Sequence, residues 1–124
     1  MRAIQRSARW IGALTLALFA LFSCGPSSAR LEVALQTDVL PGVEFRVVEL
    51  SLFDRATPPA LVRYARVNAY TTDDFRTAVT LTRMLPVTPG EYALDVRLIG
   101  RDEVRPVLSR HLPIALTEDM RVVV

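Results

Sequence analysis

Few side chains in this 124-residue chain could carry chemistry, because it holds one cysteine and one histidine, Cys24 and His111. A serine-histidine-acid triad would have to combine His111 with Ser109 and Asp102. Ser109 and His111 lie two residues apart in a predicted strand, which places them on one face about 7 Å apart, too far for direct proton transfer. No G-x-S-x-G motif surrounds any serine. We therefore predict a non-enzymatic protein with no cofactor and no metal.

Acidic residues gather at the predicted turns. If each strand crosses a sandwich once, the first, third and fifth connections share the end that lies away from the N-terminus. Acids there could supply the oxygens that calcium prefers, but acids also favour turns because they cap them, and no D-x-D-x-D-G loop is present. We predict a weak recognition patch at this tip, and no metal site. Its candidate residues are Asp38, Asp73, Asp74, Asp102 and Glu103.

The N-terminal segment has the pattern of a secretion signal. Arg2, Arg6 and Arg9 precede thirteen uncharged residues at 10–22, which suit a signal helix but fall short of the roughly 20 that a membrane-spanning helix needs. The run ends in Leu21-Phe22-Ser23-Cys24, which resembles a bacterial lipobox: an aliphatic residue at −3, a small residue at −1, then cysteine.

That resemblance implies a lipoprotein signal peptide over 1–23, a lipidated linker over 24–30 and fatty acyl (palmitate-type) chains on Cys24, which anchor the chain to a membrane. Gly25 stands where enteric-type sorting uses aspartate for inner-membrane retention, so we expect delivery to the outer membrane of the cell envelope. Two alternatives stay open. Ordinary signal peptidase could cut after Ala29, or the segment could remain as an uncleaved anchor.

Removing the leader changes the electrostatics of the chain. All fifteen cationic residues are arginines, three of them before Cys24, whereas all thirteen acidic residues follow it. Twelve arginines against thirteen acids leave a net charge of −1, so the basic pI of about 9.2 belongs largely to the leader. Binding to nucleic acid requires a clustered basic face, and none is visible. We therefore expect no nucleic-acid partner.

After the linker, apolar residues alternate with polar ones, which is the period of a β-strand. Segments of this kind recur every ten to fifteen residues with turn residues between them, and this spacing predicts an all-β sandwich over 31–124. The change of phase at Val47-Val48 predicts a β-bulge. Pro106 and Pro113 mark an edge strand. The predicted strands cover 31–35, 43–53, 61–70, 75–85, 92–99, 104–112 and 120–124.

Side-chain phase predicts which residues face the core. Tyr64 and Tyr70 share the inward face of the third strand with Val62. Phe75 begins the fourth strand and also points inward. In the fifth strand, four alternating residues face the core: Tyr92, Leu94, Val96 and Leu98.

One local motif narrows the kind of sandwich. The sequence Pro89-Gly90-Glu91-Tyr92-Ala93-Leu94-Asp95-Val96 resembles the tyrosine corner of immunoglobulin-like sandwiches, and similar sequences occur in transthyretin-like and carboxypeptidase-regulatory-like sandwiches. The resemblance implies about seven antiparallel strands in an immunoglobulin-like β-sandwich, with the Tyr92 hydroxyl bonded to the backbone of the preceding corner.

The whole chain is similar to small lipoproteins of GC-rich bacteria that have no assigned activity. These combine a lipobox with one small β-sandwich, sometimes followed by a Cys-rich tail, so a missing tail after Val124 remains an open alternative. We expect a lipid-anchored envelope module that binds another envelope protein or a glycan without catalysis. The alternative is an accessory domain of an envelope enzyme or transport assembly, with carbohydrate as its candidate ligand.

Overall fold

The computed structural model describes residues 28–102 and 104–124. The predicted signal peptide, Cys24, most of the linker and Glu103 lie outside these residues. Within them, the structure contains no helix long and apolar enough to cross a membrane.

Seven strands form the described part of the chain, which confirms the predicted all-β class. They pack as two sheets, a smaller one in the order β4-β1-β7 and a larger one in the order β3-β2-β5-β6. The strands are β1 (Ala29–Leu35), β2 (Val47–Asp54), β3 (Leu61–Asn68), β4 (Val79–Val87), β5 (Gly90–Ile99), β6 (Pro106–Leu116) and β7 (Met120–Val123).

Neighbouring strands are antiparallel except for β1 and β7, which pair in parallel. The predicted antiparallel sandwich is therefore confirmed, with this one pairing as the exception. The physical reason is the chain's own geometry: if each strand crosses the sandwich once, odd-numbered strands run in the same direction. Two of them become neighbours when β7 joins β1.

The core lies between the two sheets and follows the alternation read from the sequence. β5 contributes the four residues that its phase predicted, all of them buried. Apolar burial of this kind is the main stabilising contribution to such a domain. The largest fully buried side chains include Leu31 and Val33 of β1, Val48, Leu50 and Leu52 of β2, and Leu94 and Leu98 of β5.

The second strand begins later than predicted, and the predicted bulge at Val47-Val48 is absent. Both valines pair regularly with β3 and β5. The change of phase instead marks the junction of a turn with the strand. Gly42, at φ +74°, donates its N–H to the Phe45 carbonyl oxygen at 2.7 Å. Phe45 is buried by this turn, whereas Val43 is 49% exposed.

A register shift lies in the β2–β3 pairing instead, where Leu52 pairs with Arg63 and Phe53 pairs with Leu61. The extra β3 residue reverses the phase of the strand, so that Ala65 and Val67 pack against the core. The inward orientation predicted for Tyr64 and Tyr70 was therefore wrong, since they are 52% and 60% exposed.

The boundaries of other strands also differ from the sequence prediction. β1 begins at Ala29, so that residue and Arg30 belong to the strand and not to the linker. Phe75 is buried as predicted, but it lies in the loop before β4. β6 is an edge strand as predicted, and it continues past Pro113 to Leu116. An edge strand tolerates Pro113 because only one side needs its hydrogen bonds.

The first, third and fifth connections meet at one end of the sandwich, here called the far end because β1 starts at the opposite end. Thr37 donates its N–H to the carbonyl oxygen of Phe75 at 2.8 Å. Arg46, in the first connection, donates its N–H to the carbonyl oxygen of Ile99 at the end of β5. Its own carbonyl oxygen accepts the N–H of Ala69 in the third connection, and both distances are 2.8 Å.

Candidate functional site

Three residues of the predicted acidic tip, Asp73, Asp74 and Asp102, accept hydrogen bonds within their own loops. Asp38 lies on the wall of a cleft described below, and Glu103 lies outside the described residues. Asp73 accepts the N–H of Tyr70 at 2.7 Å. Asp102 accepts the N–H groups of Val104 and Arg105 at 3.3 and 3.4 Å. These are turn-capping roles. Among residues 28–102 and 104–124, no group of three potential metal ligands comes together.

Asp74 forms the best-defined ion pair of the tip. Its carboxylate accepts from the Arg76 guanidinium at 2.8 and 2.9 Å. The hydrogen bonds from the Arg76 side chain and backbone lower the pKa of Asp74 to about 2, from its ordinary value of 3.8. The pair therefore stays ionised throughout the neutral range, and this stabilises the loop that precedes β4.

The triad considered from the sequence is not assembled. Nδ1 of His111 is hydrogen-bonded to the Asp95 carboxylate on the neighbouring strand β5, and not to Asp102. Ser109 lies opposite Arg97 in the β5–β6 pairing. These side chains border a shallow depression on the outer face of the larger sheet. The cross-strand register creates the Asp95–His111 pair, and no local sequence signal reveals it.

The same outer face carries a polar row across all four strands of the larger sheet. Cross-strand pairing places Tyr64, Ser51, Asp95 and His111 side by side, from β3 through β2 and β5 to β6. Tyr64 is half exposed at one end of the row and His111 is exposed at the other. This face can offer an aromatic surface and hydrogen-bonding groups to a flat polar ligand.

The smaller sheet carries a charge cluster of its own on β1, β4 and β7. Glu32 accepts a hydrogen bond from the Thr80 hydroxyl at 2.7 Å and lies between Arg83 and Arg121, at 3.6 and 3.4 Å. The hydroxyl contact, with the two guanidinium groups, lowers the pKa of Glu32. This ion-pair row links the three strands and uses the charge of both arginines.

A cleft lies between the sheets at the far end, on the side of β6 and β7. We call it the β6–β7 cleft. It arises because the larger sheet has four strands and the smaller one three, so none of the described strands lies opposite the first half of β6. The cleft has a volume of about 410 Å³. Its apolar walls come from Leu35, Val96, Leu98, Leu108 and Val123, and its polar walls from Gln36, Thr37, Asp38 and Arg110.

On the opposite side of the sandwich, β3 and β4 contact each other, and the Arg63 guanidinium donates to the Pro86 carbonyl oxygen at 2.5 Å. A smaller depression of about 220 Å³ remains between these strands. On the β6–β7 side, by contrast, Leu108 on the inward face of β6 is 46% exposed. The β6–β7 cleft is therefore a partly apolar surface that the described residues leave uncovered.

Arg110 occupies an unusual position in the cleft. It lies opposite the buried Val96, on the inward face of β6 between Leu108 and Leu112, where the alternation calls for an apolar residue. Of the residues that the structure describes, none supplies a carboxylate that pairs with the Arg110 guanidinium. No local sequence signal marks Arg110, because its position depends on the order of the strands in the two sheets.

The two strands beside the cleft have free outer edges. Val124 directs both polar backbone groups at β1: its N–H binds the Ala34 carbonyl at 2.9 Å, and its carbonyl accepts the Gln36 N–H at 2.8 Å. Backbone groups alternate in direction along a strand, so the N–H and carbonyl of Val123 point to the other side. β6 pairs with β5 alone among the described strands.

Comparisons with protein families, curated proteins and solved structures give no match to this chain.

Proposed function

We propose that the chain is a lipid-anchored module of the bacterial cell envelope that binds a partner and does not catalyse a reaction. The observation that carries the binding role is the β6–β7 cleft, an uncovered surface with apolar and polar walls, in which no carboxylate of a described residue pairs with the Arg110 guanidinium. Surfaces of this kind on small domains are typical of interaction sites.

The position of the cleft fits an anchored module. β1 starts at Ala29, at one end of the sandwich, and the cleft lies at the other, bounded by Leu35 and Val123. Seven strand residues at roughly 3.3 Å each separate the two ends by about 23 Å. A chain tethered through Cys24 would therefore present the cleft away from the bilayer surface.

The structure also supports cleavage before Cys24 over cleavage after Ala29. Ala29 is buried and pairs with Val87 of β4. Cleavage after this residue would remove the first position of β1, whereas cleavage before Cys24 leaves the strand intact with a short linker before it. With Gly25 after the cysteine, we propose the outer membrane as the destination.

The strand order bears on the kind of sandwich. In constant-type immunoglobulin domains the first, second, fifth and fourth strands form one sheet, and the third, sixth and seventh form the other. Here β1 lies between β4 and β7, and β2 lies between β3 and β5. Of the three sandwich types named for the tyrosine-corner motif, this order differs from the immunoglobulin-like one and leaves the transthyretin-like and carboxypeptidase-regulatory-like types.

Replacing the acylated residue tests the anchor directly. Cys24→Ala is expected to move the chain from the detergent-extracted membrane fraction to the soluble or precursor fraction, and to remove the acyl mass from the intact protein. Ser27→Ala, a matched change in the same linker, should leave both unchanged. Membrane partitioning and mass that are the same in Cys24→Ala as in the parent chain would refute the anchor.

The outer face of the larger sheet supports a second candidate, a carbohydrate-binding accessory domain. Tyr64 is half exposed beside the polar row of Ser51, Asp95 and His111. Sugar rings stack on such aromatic surfaces while their hydroxyls bond to polar neighbours. Glycan-array binding that is lost in Tyr64→Ala but kept in Tyr70→Ala would favour this role, and no binding to any glycan would exclude it.

A further inference from the structure

We infer that the β6–β7 cleft accepts an extended peptide segment of a partner protein, which adds as a strand to the free edge of β7 and places a carboxylate against Arg110. The inference rests on the proposed binding function and specifies the partner's chemistry. It assigns the partner segment the place of a fourth strand in the smaller sheet.

The sheet order defines the shape of the missing element. The larger sheet extends one strand further than the smaller one, and the inward face of β6 at Leu108 and Arg110 is uncovered as a result. Strands in a sheet lie about 4.8 Å apart and packed sheets about 10 Å apart. An added strand beside β7 would therefore lie over this half of β6 and close the sandwich.

The backbone at the cleft selects a polypeptide over other ligands. Val123 directs its N–H and carbonyl groups toward the cleft side of β7, because its neighbour Val124 uses its own groups on β1. A ligand that excludes water from this edge must replace the lost hydrogen bonds. An extended peptide does so at every second residue, which an acyl chain cannot do.

The side chains of the cleft define the sequence that the segment should carry. Leu108 and Arg110 are two residues apart on the same face of β6, and Leu35 and Leu98 form apolar walls beside them. We expect the matching segment to have apolar residues at alternate positions, facing the cleft. One of these inward positions, two residues from an apolar one, should carry a carboxylate instead. That carboxylate would pair with the Arg110 guanidinium, which has no carboxylate of a described residue within ion-pair distance.

The test uses an eight-residue peptide of alternating threonine and valine with one valine position changed to glutamate, and a second peptide with glutamine there. Binding to the full-length chain in detergent micelles is measured by fluorescence anisotropy. Leu108→Glu, which places a charge in the cleft, is expected to weaken binding at least tenfold. Ser109→Glu is the matched control, since Ser109 is the adjacent residue and its pairing with Arg97 places it on the other face of β6. It should change affinity less than twofold.

Two further variants separate the charge from the backbone contribution. Arg110→Gln should lower the affinity for the glutamate peptide several-fold and leave the affinity for the glutamine peptide unchanged. Val123→Pro removes one outward N–H and should lower the affinity for both peptides several-fold. Val123→Ala keeps the N–H and should lower both affinities less. Circular dichroism and thermal unfolding must show that each variant is folded like the parent chain.

Several outcomes would overturn the inference. These are no saturable binding of either peptide to the parent chain, and equal effects of Leu108→Glu and Ser109→Glu. Self-association that Leu108→Glu abolishes would assign the cleft to a second copy of this chain and so refute the partner segment. If Cys24→Ala releases the chain from membranes while the peptides fail to bind, the anchor stands and only the assignment of the cleft is lost.

Discussion

Tyr92 donates its phenolic hydrogen to the backbone carbonyl oxygen of Thr88, and this bond ties the start of β5 to the corner that follows β4. The corner joins the two sheets, because β4 belongs to the smaller sheet and β5 to the larger. Tyr92→Phe keeps the buried ring and removes only this bond. We expect the free energy of unfolding to fall by about 1 kcal/mol, measured by urea denaturation.

The control for this change is Tyr64→Phe, which removes a hydroxyl from a half-exposed ring on the outer face. It should stay within about 0.5 kcal/mol of the parent chain, as most surface substitutions do. Equal stability of Tyr92→Phe and Tyr64→Phe would show that the Tyr92 hydroxyl does not stabilise the corner.

Gly42 occupies a backbone conformation that other residues rarely adopt. Its φ is +74°, and a Cβ atom at this position would lie 2.5 Å from the backbone nitrogen of Thr71. Gly42→Ala should therefore lower the free energy of unfolding by about 1–3 kcal/mol through strain and a steric clash. Gly90→Ala is the matched control, since its Cβ would come no closer than 3.7 Å to Tyr92. A melting temperature of Gly42→Ala equal to that of Gly90→Ala would contradict the expectation.

Phe45 is the central packing residue of the far end. It is fully buried, and its ring lies 6.0 Å from that of Phe75, centroid to centroid, in the third connection. Phe45→Ala should reduce the free energy of unfolding by about 3–5 kcal/mol because it leaves a cavity between two loops. Val43→Ala, at an exposed position of the same turn, should cost less than about 0.5 kcal/mol. Both values come from urea denaturation followed by circular dichroism.

The Asp74–Arg76 pair makes a prediction about pH. Because the folded loop lowers the pKa of Asp74 to about 2, the ionised carboxylate favours the folded state. This contribution is present above the ordinary value of 3.8 and is lost as the pH falls from 3.8 toward about 2. Carboxyl-carbon NMR should give the low pKa, and Arg76→Gln should raise it toward the ordinary value, with the remaining backbone hydrogen bond at position 76 still lowering it in part.

Two controls test the cause of that low pKa. Arg55→Gln changes an arginine in a different loop and should leave the Asp74 titration unchanged. High salt should raise the pKa of Asp74 in the parent chain, because both partners are exposed and their attraction is screened. A titration midpoint that is unaffected by Arg76→Gln would mean that another group holds the carboxylate ionised.

Much of the fold was predictable because period-two alternation reports burial directly. β5 is the clearest example: its four alternating core residues pointed inward in the sequence and in the structure. β2 shows the limit of the same reasoning. A phase change at Val47-Val48 fits a bulge or a turn entering a strand equally well, and only the conformation of Gly42 decides between them.

The candidate sites were less predictable because they depend on which strands become neighbours. Asp95 and His111 are sixteen residues apart, and only the β5–β6 register pairs them. Arg110 lies in a cleft because none of the described strands covers the first half of β6, and this depends on the order of the strands in the sheets. Alternating connections predicted that the acidic residues share one end of the sandwich, but the sequence pattern does not specify the turn conformations that direct Asp73, Asp74 and Asp102 into local hydrogen bonds.

The parallel pairing of β1 with β7 has a consequence for the order in which the molecule is made. Arg30, at the start of the first strand, donates its N–H to the carboxylate of Asp119, 89 residues later. The smaller sheet is therefore complete only after the last strand has emerged from the ribosome. Contacts so distant in sequence form slowly. A nascent chain of this topology therefore cannot close its smaller sheet until β7 has been made, a delay that would suit the export proposed above.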